Sequence, residues 1–87
     1  MNAKEISKLV RCYDQPKTFD RFTVVYIKQP KRTHRVFAAV AMSAHPFHPQ
    51  GFGQHCTAML GRHLGKKIDF ITLPVDCRRL VRWYLEA

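Results

Sequence analysis

Four of the five histidines in this 87-residue chain fall between positions 44 and 65: His45, His48, His55 and His63. Cys56 follows His55 directly, and Cys77 lies further on. Imidazole and thiolate are the ligands of tetrahedral zinc sites, and a cysteine beside a histidine base can act as a nucleophile. The spacing argues against both chemistries. His45 and His48 form an HxxH pair, but no CxxC or HExxH accompanies it. Adjacent His55 and Cys56 rarely reach one ion together, and Cys–His catalytic pairs form across a fold rather than between neighbours. No GxSxG elbow is present. The six carboxylates, Glu5, Asp14, Asp20, Asp69, Asp76 and Glu86, make no acid–base constellation. The pattern therefore predicts a non-enzymatic protein without a cofactor, with zinc on His45, His48, His55 and His63 as an alternative. Otherwise these rings hydrogen-bond the loop backbone or pack on Phe47 and Phe52.

The glycines invite a second chemistry. In "QGFGQH" two glycines flank Phe52, so successive N–H groups can form an anion-binding concavity. The third glycine of GxGxxG is missing and no GxxxxGK occurs, so this is not a phosphate loop. A tight turn that buries Phe52 is the simpler reading.

Charge is the stronger signal. Fifteen Lys and Arg against six Asp and Glu give a net charge of +9, spread along the chain rather than gathered in a tail. Such an excess favours an acidic partner: nucleic acid, or an acidic protein or nucleoprotein surface. The candidate contact residues are Lys31, Arg32, Arg35, Arg62, Lys66, Lys67, Arg78, Arg79, Arg82 and Trp83. Trp83, Phe47 and Phe52 could stack on bases or anchor a protein. No apolar run is long enough to span a membrane and no secretion signal opens the chain. Three widely spaced cysteines, Cys12, Cys56 and Cys77, read as reduced thiols, which suits a cytoplasmic protein.

The elements that would position these residues form a single domain over 1–87. Residues 21–28 and 35–43 are β-branched and alanine-rich runs joined by a short, basic, Pro30-containing connection, and read as an antiparallel hairpin. Residues 66–73 alternate as a third strand, at an edge guarded by Lys66 and Lys67. Cys77, Leu80, Val81, Tyr84 and Leu85 make a helical stripe after Pro74. Arg79 would stack on Trp83 and Arg82 would pair with Glu86. In residues 4–13, Ile6, Leu9, Val10 and Tyr13 fit a helix that Asn2 could cap; a strand over 8–13 is the competitor. Residues 44–65, with Pro46, Pro49 and all four glycines, read as one long loop held to the sheet by Phe47 and Phe52. The fold class is α+β: a small antiparallel sheet of three or four strands, a C-terminal helix on one face, and a long Pro/Gly/His-rich loop. The expected core is Leu9, Phe22, Val24, Tyr26, Val36, Ala38, Val40, Ile68, Phe70, Leu80, Val81 and Tyr84.

The segments "YDQPKTFDRFTVVY", "MSAHPFHPQGFGQH", "HLGKKIDFITLP" and "DCRRLV" resemble a group of small uncharacterised proteins from bacterial, plasmid and phage genomes. The likeness runs from about Tyr13 to Val81, and "PFHPQGFGQH" and "HLGKKI" are its most distinctive parts. It carries no activity and no residue roles. It implies a mobile-element protein that binds host machinery, and makes an anti-defence inhibitor or adaptor, of the anti-CRISPR kind, the alternative to nucleic-acid docking.

Overall fold

Two long strands, β2 (Phe22–Lys31) and β3 (Val36–Met42), form the centre of a five-stranded antiparallel sheet in the order β4-β3-β2-β1-β5. The computed structural model describes residues 1–31 and 35–87; Arg32, Thr33 and His34, with the hairpin tip and the candidate contact Arg32, lie outside the described residues. β1 (Val10–Asp14) flanks β2, and β5 (Lys66–Ile68) and β4 (Gly53–Ala58) are the two edges. The architecture is α+β as expected, with one strand more than the upper expectation.

Register sorts the side chains, because residues directly opposite in a sheet share a face. The rows Val10–Tyr26–Ala38–Thr57, Cys12–Val24–Val40–His55 and Asp14–Phe22–Met42–Gly53 lie on the first face. Helix α2 (Val75–Glu86) packs there with Cys77, Leu80 and Val81, all buried, and Tyr84 and Leu85 half-buried at the margin. Fully buried Val24, Val40 and Val81 each contribute about 1.5–3 kcal/mol of apolar burial. The Tyr84 ring stacks on Tyr26 with centroids 4.5 Å apart, and its hydroxyl donates to Gln29 Oε1 at 2.8 Å.

The second face carries the rows Arg11–Val25–Ala39–Cys56 and Tyr13–Thr23–Ala41–Gln54. Among the described residues no helix covers it, yet Val25 and Ala39 are buried. The cover comes from connectivity. β4 and β5 are opposite edges, so residues 59–65 must cross the sheet, a lateral distance of about 19 Å at the usual strand spacing. The crossing includes a 3₁₀ turn, Arg62–Leu64, and sets Leu64 against Tyr13, Val25 and Ala39.

Three expectations need correction. The helix expected over 4–13 stops early: α1 is Ala3–Ser7, started by a capping box in which Asn2 Oδ1 accepts from the Glu5 N–H and Glu5 accepts from the Asn2 N–H. β1 follows because Val10 and Cys12 complete the first-face core beside β2. The expected strand over 66–73 ends at Ile68 and becomes a 3₁₀ turn, Phe70–Thr72, which turns Phe70 into the core. The long loop over 44–65 contains β4. Of the expected core, Leu9, Val36, Ile68 and Tyr84 are half-buried and the rest are buried; Ile6, Cys12, Met42, Leu73 and Cys77 join them.

Candidate functional site

The histidines are distributed, not gathered. His48 belongs to a double turn in which its N–H donates to His45 O and Gly51 N–H donates to His48 O. Its Nδ1 accepts from the Gln50 N–H at 3.1 Å, so the ring fastens its own loop. His55 stacks on Tyr84 at 4.6 Å. His45 and His63 are exposed. Among the described residues no three His, Cys, Asp or Glu side chains come together to hold a metal. Phe47 is exposed rather than an anchor, and Phe52 is half-buried, edge-on to Phe19 at 6.5 Å.

His55 and Cys56 are neighbours in a strand, so they point to opposite faces. Burial pushes the Cys56 thiol up from its ordinary value, away from thiolate. Cys12 and Cys77 are both pushed up to about 12, chiefly by burial, and Cys77 Sγ donates to Ser43 O at 3.2 Å. These two are structural thiols inside the core.

The basic candidates do not form one surface. Arg78 donates to Leu73 O at 3.1 Å and Arg82 to Met1 O, so both guanidinium groups hold backbone carbonyls. Arg82 therefore does not need Glu86, which takes the N-terminal amine at 2.9 Å. Arg79 lies 3.4 Å from Asp76 and 6.0 Å over the Phe47 ring, with exposed Trp83 one helical turn further on. Lys66 is on the first face, opposite Asp14, and Lys31 is at the end of β2. Lys67 is on the second face, opposite Tyr13, and Arg62 sits in the segment that crosses that face. Arg35 lines a shallow pocket there with Phe37, Met59 and Leu60.

Sequence reasoning passed over Arg11. In a helix over 4–13 it would lie outside the Ile6, Leu9, Val10 and Tyr13 stripe; as a strand residue opposite Val25 it belongs to the second face. With Lys67 and Asp69 it lines a groove of about 400 Å³ beside the start of β1, bounded by Ser7 and by Phe70 and Ile71 of the 3₁₀ turn after β5, and its guanidinium donates to Val10 O.

The acidic residues sharpen this division. Glu5 closes the α1 cap, Asp14 holds Arg21 through two bonds of 2.7 and 2.9 Å, Asp76 meets Arg79, and Glu86 meets the amino terminus. None of these four lies on the second face. The second face gathers Arg11, Arg35, Arg62 and Lys67, with Asp69 beside Arg11 and Lys67 and Asp20 close enough to act on Cys56. Comparison with family models, curated proteins and solved structures finds no match to this chain. The side chains themselves must carry any reading of function.

The Asp14–Arg21 pair also has a pH signature. The bidentate Arg21 fork holds the Asp14 carboxyl below its ordinary 3.8. A carboxyl depressed in the folded state adds stability above the unfolded pKa and loses it as pH falls through the folded one. Arg21→Gln is therefore expected to be less stable than the parent at neutral pH. The difference should shrink to nothing as acid titrates Asp14 below 3.8. Urea midpoints of both proteins across that range check it; a pH-independent difference would mean that Arg21 acts only through packing on Phe22.

Proposed function

We propose that this protein is a non-enzymatic, cytoplasmic binding protein of phage or mobile-element type, and that it docks the second face of its sheet on nucleic acid or a nucleoprotein. The observation that carries this reading is the gathering of cations on one face. Arg11, Arg35, Arg62 and Lys67 share the second face, and Arg62 and Lys67 are exposed there, whereas on the helix side Arg78 and Arg82 hold carbonyls and Arg79 faces Asp76. Of the exposed aromatics, Phe47 and Trp83 sit on the helix side, away from this face. Contacts from the second face would therefore go to phosphates, which position a protein without reading sequence.

Fluorescence anisotropy with labelled single- and double-stranded DNA and RNA tests the reading. Four phosphate contacts predict an affinity that falls with salt at a log–log slope of roughly −3 to −4. No binding to any of these probes at about 50 mM salt would sink it.

A second reading rests on the other side of the molecule. Phe47, Arg79 and Trp83 form an exposed cation–aromatic strip, the residue types that dominate protein–protein contacts. It supports an inhibitor or adaptor that binds an acidic protein surface, such as a defence effector. Capture of a partner that survives nuclease and is lost in Trp83→Ala favours this reading over the first.

A further inference from the structure

The two edges of the sheet are unlike. β5 is three residues long and carries Lys66 and Lys67; shortness and lysine are common guards against strand addition. β4 is six residues long, Gly53–Ala58, with no charge and no proline, in a chain of net charge +9. Its first five residues are exposed.

The hydrogen-bonding parity of β4 follows from Ser43, whose N–H donates to Phe52 O at 2.8 Å. Such pairs alternate along an antiparallel ladder. Phe52, Gln54, Cys56 and Ala58 therefore turn their backbone groups towards β3, while Gly53, His55 and Thr57 turn theirs outward.

We infer that this edge pairs with the β4 edge of a second copy of the chain, antiparallel, about a two-fold axis at Cys56. In that register His55 opposes Thr57 of the second copy through their outward N–H and C=O groups. Cys56 opposes Cys56, Gly53 opposes Met59, and Phe52 opposes Leu60. Three observations select a second copy as the occupant. The outward parity of odd residues admits this register without a bulge. The apolar side chains exposed at the two ends of β4 are brought together: Met59 and Leu60, 48% and 41% exposed, meet Phe52 with its neighbour Phe19, which is 63% exposed. The edge lysines stay apart, because Lys66 and Lys67 lie on the far edge of each sheet; among the described residues Arg35, which lines a pocket with Met59 and Leu60, comes nearest to the contact, and salt screens its repulsion beyond about 8 Å at physiological strength. An acidic partner strand would be drawn instead to the lysine-guarded edge. The pairing is independent of nucleic-acid binding and forms without it.

Sedimentation velocity between about 5 and 500 μM, without nucleic acid, tests the pairing at the affinity a small interface gives. The mass should rise from 10.2 kDa towards twice that value. Thr57→Pro removes an outward N–H that β3 does not use, and Thr57→Lys sets a charge against the second copy; both should keep the fold by circular dichroism and remain monomeric. Register is read by disulfide trapping with copper phenanthroline as oxidant. Opposed non-hydrogen-bonded residues have Cα atoms about 4.5 Å apart, within disulfide reach. Cys56 should therefore cross-link at least about tenfold faster than the cysteine in a His55→Cys, Cys56→Ser variant, whose position opposes Thr57. A chain that stays monomeric throughout overturns the inference, whether the edge is idle or takes a strand from another protein. So does a dimer that persists in both Thr57 variants, or equal cross-linking at the two positions.

Discussion

Gly65→Ala is expected to remove about 3–5 kcal/mol of stability, a large share of what a domain of this size holds. Two causes add. Gly65 has φ 108° and ψ −160°, a conformation that L-residues scarcely adopt. A Cβ at this position would also stand 2.4 Å from Asp14 O and 2.8 Å from its carbonyl carbon. Both are backbone atoms at the end of β1, so no side-chain rotation relieves the clash. The next residue, Lys66, begins the pairing of β5 with Asp14. The least costly escape is to release β5, which would also lift Leu64 from Val25 and uncover the second face. Chemical denaturation should show the loss, and hydrogen exchange should show it greatest at residues 66–68. Gly53→Ala is the control. The Cβ there would meet Leu80 Cδ1 at 3.0 Å and Pro46 Cβ at 3.3 Å. The nearer contact is the end of a flexible side chain, and a cost near 1 kcal/mol or less is expected. Equal losses in the two variants would show that Gly65 is not the clamp.

That clamp explains why part of the fold could be read from the sequence and part could not. The β2–β3 pair is legible because Phe22, Val24, Tyr26, Val36, Ala38 and Val40 alternate within runs of strand-forming residues. The stripe of α2 is legible because burial of Cys77, Leu80 and Val81 follows the helical period. β4 is not, since neither face of "GQHCTA" is buried and an exposed edge strand has no apolar period to betray it. β1 fails for a different reason. Ile6, Leu9, Val10 and Tyr13 do fit a helix, but Ile6 enters the core from α1, Val10 from the first face of the sheet and Tyr13 from the second. Pairing with β2 overrides local period. The same limit applies to the site. Residue type shows fifteen cations; only register shows that Arg11 and Lys67 share a face, and only tertiary contact shows that Arg78 and Arg82 hold the carbonyls of Leu73 and Met1.

Reversing two charges on that face should lower oligonucleotide affinity about a hundredfold at about 50 mM salt if the proposed docking is right. The double variant is Arg62→Glu with Lys67→Glu. Both side chains are exposed, and neither lies in the buried clusters, so the fold should survive. Each phosphate contact releases about 0.9 of a counterion, which makes it worth about tenfold at that salt relative to 1 M. Removing two should make the log–log salt slope shallower by about 2. Added repulsion makes the hundredfold a lower bound at low salt and has little effect at high salt, where screening dominates. The charge-matched variant on the other side, Arg79→Glu with Arg82→Glu, should change affinity by less than about threefold, because Arg79 already faces Asp76, Arg82 holds Met1 O, and both lie across the sheet from the docked face. The comparison carries the argument, since a protein of net charge +9 will bind polyanions weakly through any surface. A general field effect would depend on the number of charges removed and not on their place. Reversal of the sensitivity, with the helix-side variant losing more, would move the interface to Phe47, Arg79 and Trp83 and turn the function towards stacking or protein capture. Equal losses would leave net charge, rather than a built face, as the cause of binding.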